Sequence, residues 1–178
     1  MNTGSIALRY CRALFEEARL AAIDAEIYGA FGVLHQNMQT APDLQSVLIS
    51  PRISKEKKLA LMKTASQCTV PLWLRFLTLV LEHGRENLLR LMVFSFRDLY
   101  RAYYGIDRVV LQTAVPMNVR VLNRVKEKVK AGTGREVELV TEVCPDLIGG
   151  FCLRIGDVLY DYSYRTKLQN IRRQLWNR

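Results

Sequence analysis

Histidine is nearly absent. His35 and His83 are the only two in 178 residues, and they lie far apart in the chain. The four cysteines (Cys11, Cys68, Cys144, Cys152) form no C-x-x-C pair, so no metal-ligand spacing is present and no cofactor is expected. The same scarcity argues against a Ser-His-Asp or Cys-His centre. The cysteines read instead as free thiols, buried or half-buried, in a reducing compartment. No apolar run approaches the ~20 residues of a membrane span. The densest stretch, Leu72–Leu81, is interrupted by Arg75 and Thr78. The first residues, Met-Asn-Thr-Gly-Ser, place no basic region before a long apolar core, so no signal peptide is expected. Gly132-Thr-Gly134 invites a phosphate-loop reading, but it follows a helical pattern and precedes a strand pattern, the reverse of a nucleotide-binding turn. Asp146, Asp157 and Asp161 sit at turns and strand ends, where aspartate is common for local reasons, and they suggest no enzyme site.

What the chain does have is apolar mass (49%) and a net charge of +9. The charge is spread, +4 over residues 1–105 and +5 over residues 106–178. Such a balance suits nucleic acid, an anionic surface or an acidic protein. No aromatic residues interleave with the basic ones in an RNA-binding pattern, and the longest basic cluster is Lys55-Glu-Lys-Lys58. A basic RNA-associated or ribosome-associated adaptor rests on charge alone.

Residues 1–105 carry helical periodicity in short segments. Helices are expected over Ser5–Ala21, Asp24–Gln39, Pro42–Ile49, Ser54–Ala65, a segment opening at Pro71, and Asn87–Tyr104. Ser54 suits an N-cap, Pro71 a first helical position and Gly84 a C-cap. In the last helix Leu88, Leu91, Met92, Phe96, Leu99 and Tyr103 are expected inward. The first and fifth helices have only a narrow polar stripe each: Arg9, Arg12, Glu16 and Arg19 in one, Arg75, Thr78, Glu82 and Arg85 in the other. Their apolar arcs exceed the roughly 100° a surface helix needs. Either these are the most buried helices, or they leave an apolar groove for another amphipathic helix. Both can hold.

From Asp107 the period changes. Arg108–Val115 is rich in β-branched residues; Asn118 can cap a helix to about Ala131, with Val121, Leu122, Val125 and Val129 inward. Glu136–Val143 alternates as a half-buried strand, Ile148–Ile155 and Val158–Tyr162 follow as strands, and a closing helix gathers Leu168, Ile171 and Leu175 on one face. The fold expected is α+β: an N-terminal six-helix bundle over residues 1–105, then a small β-α-β-β-β-α domain over residues 106–178.

The order of these pieces is familiar. Ala7-Leu-Arg-Tyr-Cys-Arg-Ala-Leu-Phe15 resembles the A-x-x-Y-A-x-A-L-F opening of the delta subunit family of F-type ATP synthases, whose mitochondrial members are the oligomycin-sensitivity-conferring proteins. Leu48-Ile-Ser-Pro-Arg-Ile-Ser54 with Lys58 is similar to the family's N-P-x-I-x-x-x-x-K segment, and Phe76–Arg85 to its F-L-x-L-L-x-x-x-R. Pro145-Asp-Leu-Ile-Gly-Gly-Phe151, with Gly156-Asp157 and Asp161-Tyr-Ser163, resembles its D-x-x-L-I-G-G-F…G-x-x-x-x-D-x-S signature. Cys11 and Ser50 depart from the usual alanine and asparagine. Asp146 falls one position off the simplest alignment and is given no role.

The resemblance implies a non-catalytic stator subunit. Its helical domain would bind the N-terminal helix of one alpha subunit between the first and fifth helices, on the catalytic head of alpha and beta subunits. Its second domain would contact the C-terminal region of the b-subunit stalk. By position the groove residues are Ile6, Tyr10, Ala13, Phe76, Leu79, Val80 and His83. Gly149 and Gly150 are expected to serve strand geometry or close backbone approach. Asp161 and Ser163 are expected to fix the turn into the last helix. The implied location is the cytoplasmic side of the bacterial inner membrane, peripheral and through the complex, with no direct insertion and no nucleic acid.

Overall fold

A computed structural model describes residues 3–41 and 43–176. The chain is α+β and divides into two compact units, Met1–Ala102 and Tyr103–Arg178.

Among the described residues, the first unit is built from α1 (Thr3–Leu20), α2 (Asp24–Thr40), α3 (Asp43–Ile49), α4 (Lys55–Ser66), α5 (Pro71–Glu82) and most of α6 (Leu89–Tyr104). The helix expected to open at Pro42 is seen from Asp43; Pro42 itself lies outside the described residues. Local chemistry sets several ends. The Ser54 hydroxyl accepts from the Lys57 N–H at 3.4 Å, so one otherwise unpaired donor of α4 is satisfied. Past α5, Gly84 turns left-handed (φ 61°). The N–H groups of Gly84 and Arg85 then bond back to the carbonyls of Leu81 and Val80, the pairing of a Schellman cap. Residues 86–88 form a 3₁₀ turn rather than the first turn of α6.

Phe31 of α2 is the hub of this unit's core. Its ring meets Trp73 edge-on at 4.7 Å, stacks on Phe96 at 4.6 Å and meets Phe76 at 5.9 Å, tying α2 to α5 and α6. Such pairs contribute about 1 kcal/mol each beyond the area they bury. The indole N–H of Trp73 donates to the buried Ser66 hydroxyl at 2.8 Å, so the core holds no unpaired donor there. On α6, Met92 and Phe96 are buried as expected, whereas Leu91 and Tyr103 are exposed. Leu91 sits at the angular edge of that stripe, and Tyr103 lies in the last turn of α6.

The second unit carries β1 (Ile106–Thr113), α7 (Val119–Thr133), β2 (Glu136–Val143), β3 (Phe151–Ile155), β4 (Val158–Asp161) and α8 (Tyr164–Trp176). The sheet order is β2-β1-β3-β4, with β1 parallel to β2 and antiparallel to β3. The β1–α7–β2 crossover accounts for the parallel pair. Val109, Val129 and Val137 form its small core, with Val125, Leu139, Leu153 and Ile155 packed around them. The α7 helix runs past Gly132 and stops at Gly134, in the left-handed region. Val121, expected inward, is exposed near the start of α7, beyond the reach of that core.

The expected strand over Ile148–Ile155 begins only at Phe151. Residues 145–147 form a 3₁₀ turn, and Ile148 and Gly150 have positive φ (65° and 77°), which no strand accommodates.

Candidate functional site: a cleft between two apolar helices

On α1 the residues at i+3, i+4 and i+7 from Tyr10 are Ala13, Leu14 and Glu17; on α5 those at i+4 and i+7 from Leu72 are Phe76 and Leu79. Each set is one helical stripe. Together with Arg9 and Arg75 the two stripes line a single open cleft of about 440 Å³. Tyr10 also meets His83 beyond the C-terminal end of α5, while Glu17 and Leu72 share the same cleft, so α1 and α5 run antiparallel along it.

The wide apolar arcs of these helices serve two surfaces. One side is core: Ile6, Ala7, Cys11, Leu14, Phe15 and Ala18 of α1, and Trp73, Phe76, Leu77, Val80 and Leu81 of α5, are buried. The other side is left open. Leu79 is 42% exposed inside the cleft, an apolar side chain held in water by the packing of its neighbours. Of the seven expected groove residues, Tyr10, Ala13, Phe76 and Leu79 line the cleft. Ile6 and Val80 lie in the core cluster and do not line it, because a wide arc does not reveal where core ends and cleft begins.

His83 closes one end. Its Nδ1 lies 2.8 Å from the Tyr10 hydroxyl, and the Arg85 guanidinium donates to the same hydroxyl at 2.8 Å while sitting 5.0 Å over the Tyr10 ring. The Schellman turn at Gly84 is what brings Arg85 back to this position. Arginine has no acceptor, so the phenol oxygen accepts from Arg85, and it shares a second hydrogen bond with the His83 ring.

The expected set left out Arg9, Leu14, Glu17, Leu72 and Arg75, which also line the cleft. Arg9 and Arg75 were readable only as members of polar stripes, which ordinarily face solvent; here they flank an apolar strip.

In the second unit the glycine pair and the Asp161–Ser163 turn form one structure. A Cβ on Gly149 would fall 2.5 Å from the Tyr164 ring, and one on Gly150 would fall 2.2 Å from the Tyr162 carbonyl. The close approach lets Tyr162 N–H bond to Phe151 O (2.9 Å) and Tyr164 N–H to Gly149 O (3.0 Å). Ser163 is the N-cap of α8: its hydroxyl accepts from the Thr166 N–H at 3.3 Å. Asp161 accepts from Ser163 N–H and from the Thr166 hydroxyl, both at 2.8 Å. The backbone donor at Ser163 comes first, then the Ser163 and Thr166 hydroxyls, and together they hold the Asp161 carboxyl well below the usual carboxylate range. These four residues build the start of α8. Leu168, Ile171, Leu175 and Trp176 of that helix stand exposed, with Arg172 among them.

Among the described residues no group of three His, Cys, Asp or Glu side chains is placed to hold a metal ion, and no helix is long and apolar enough to cross a membrane. Cys11 is an inert thiol, donating to the Met92 carbonyl at 3.2 Å and pushed up to about 12 by burial.

Residues 6–175 match the family model of the ATP synthase delta (OSCP) subunit. The chain is 36% identical over 173 residues to the ATP synthase subunit delta of Parabacteroides distasonis, covering 97% of this chain and 96% of that one. It is 32% identical over 176 residues to that of Symbiobacterium thermophilum, covering 98% and 95%. Its fold is that of a chain in the cryo-EM structure of the Toxoplasma gondii mitochondrial ATP synthase hexamer, with a TM-score of 0.71 at 19% identity over 99% of this chain and 98% of that one. The family match over residues 6–175 and the relatives at 36% and 32% identity agree: the chain belongs to the ATP synthase delta (OSCP) subunit family, a non-catalytic component of the peripheral stalk.

Proposed function

We propose that this chain is the clamp between the catalytic head and the stalk of a proton-translocating ATP synthase, holding the head still against rotor torque. In this reading the six-helix N-terminal bundle, about residues 1–105, takes the N-terminal helix of one alpha subunit into the α1–α5 cleft and rests on the head of alpha and beta subunits. The β-α-β-β-β-α domain, about residues 106–178, meets the C-terminal region of the b subunit. The complex places the chain on the cytoplasmic side of a bacterial inner membrane.

The observation that carries the reading is the cleft itself. Leu72, Phe76 and Leu79 face Tyr10, Ala13 and Leu14 along two antiparallel helices, an arrangement that accepts the apolar face of a third. Ala13 is small and lets a guest backbone approach. Tyr10 offers an apolar body and a polar tip. The exposed apolar stripe of α8 supports the second contact. Torque resistance needs tight association and stiffness, and no reacting group.

Reconstitution tests it. Inner-membrane vesicles stripped of this chain should lose ATP-driven proton pumping and regain it when the wild-type chain is added. Folded Tyr10→Asp and Leu79→Asp variants should fail to restore pumping. Full restoration by both would remove the cleft from the function.

A further inference from the structure

The closing helix is tied down only at its first turn. Asp161 and Ser163 hold Thr166 there, and the Tyr164 ring lies against Gly149. No residue of α8 is buried. At roughly 100° per residue, Tyr164, Leu168, Ile171 and Leu175 fall on one narrow stripe, each between 52% and 73% exposed. The same geometry sets Arg165 and Arg172 along one border of the stripe and Lys167 along the other, with Asn170 at the back. The helix carries no acidic residue, and its bordering cations have no ion-pair partner among the described residues. Each end pairs a cation with an aromatic ring: Lys167 lies 5.7 Å over Tyr164, and Arg172 lies 5.2 Å over Trp176.

This face suits a flat occupant. The α1–α5 cleft is walled by two helices, whereas the shallow surface at Leu168, Ile171, Leu175 and Trp176 is lined by α8 alone. A bare stripe without a groove offers a partner helix no second wall to pack against. A bilayer interface needs none. Aliphatic side chains sink to the acyl boundary, bordering Lys and Arg stems reach back to the phosphates, and Tyr and Trp sit at headgroup depth. We propose that, in the chain free of its complex, α8 lies along an anionic phospholipid surface with this stripe facing the lipid. The Asp161–Ser163 cap has already formed the first turn, so binding does not have to nucleate the helix. In the assembled complex the stalk contact takes the same stripe, so the lipid contact belongs to the unassembled chain. Lipid binding requires neither an alpha nor a b subunit, and its failure would leave the clamp reading standing.

The test mixes the purified full chain with phosphatidylcholine vesicles, with or without about 30% phosphatidylglycerol, at low salt. Binding is read by flotation and by tryptophan emission. Trp73 is buried and Trp176 exposed, so a blue shift on binding reports Trp176. Affinity for the anionic vesicles should exceed that for the neutral ones on the order of a hundredfold, and should fall steeply with added salt. Ile171→Asp should weaken binding more than about tenfold. Asn170→Asp adds the same charge to the opposite face and should weaken it far less; circular dichroism confirms that both variants fold. Absence of binding to the anionic vesicles overturns the proposal, as does equal binding to both kinds. Equal loss in the two variants, or binding without a Trp176 shift, overturns it too, because the contact would then lie elsewhere on this basic chain. Capture of an acidic amphipathic peptide by α8 with no vesicle binding would assign the stripe to a protein instead.

Discussion

The Tyr10 hydroxyl and Nδ1 of His83, 73 residues apart in sequence, lie 2.8 Å from each other and join α1 to the end of α5. With the Arg85 guanidinium on the same hydroxyl, the contact ties α1 to the segment just past α5. Removing either partner leaves the other able to bond to water, so each single change is mild. Tyr10→Phe and His83→Ala should each cost about 1 kcal/mol in urea unfolding of the helical unit. The double variant should cost less than the sum by about 0.5–1 kcal/mol. Strict additivity would show that the bond contributes nothing in solution.

Gly150 and Gly132 make a controlled pair. An alanine at 150 needs φ 77° and meets the Tyr162 carbonyl, whereas a Cβ at Gly132 meets nothing within 4 Å on a helix. Gly150→Ala should destabilise the second unit by about 3 kcal/mol, the sum of left-handed strain and overpacking. Gly132→Ala should raise its thermal midpoint slightly, by up to about 1 kcal/mol of stability. Circular dichroism melts of both variants read this directly.

The cap of α8 has an acid limb. The Asp161 carboxyl titrates below its unfolded value when folded, so its contribution to stability is present above about pH 4 and is lost as pH falls below that. Helix signal followed from pH 6 to pH 2 should show α8 loosening early, and Asp161→Asn should remove that pH dependence. Ser163→Ala, which deletes the N-cap, should cost about 1 kcal/mol at any pH.

Cys11 is fully buried, and its thiol is pushed up to about 12, while Cys68 and Cys144 are half-buried. Brief iodoacetamide treatment at pH 8 followed by mass spectrometry should mark Cys68 and Cys144 and spare Cys11 until the chain is unfolded. Prompt alkylation of Cys11 would mean that α1 separates from α6 in the native state.

What was legible in the residues was chiefly local chemistry. Ser54 and Asn118 act as caps because their side chains reach N–H groups two or three residues on, a short-range event that spacing reveals. The change from period 3.6 to period 2 near Asp107 marked where the helical unit gives way to the sheet. The early start given to β3 failed because the positive φ of Ile148 is imposed by the packing of the Gly149–Gly150 turn against residues 162–164, a contact between distant segments. The cleft was half legible. Tyr10, Ala13, Phe76 and Leu79, named by position within the groove that the family resemblance implies, line the cleft; Ile6 and Val80 lie in the core, and Arg9, Leu14, Glu17, Leu72 and Arg75 line the cleft as well. Helix phase gives a residue's angle around its own axis; only the neighbouring helices decide which angles meet core, guest or water.

The most direct measurement is a calorimetric titration of the full chain with the cognate alpha subunit's N-terminal ~20-residue peptide. Trp73 is buried against Phe31 and Phe76, so heat is a better signal than its fluorescence. The account predicts saturable one-to-one binding that disappears in folded Tyr10→Asp and Leu79→Asp variants. No heat of binding at high micromolar peptide, or binding untouched by both substitutions, would contradict it.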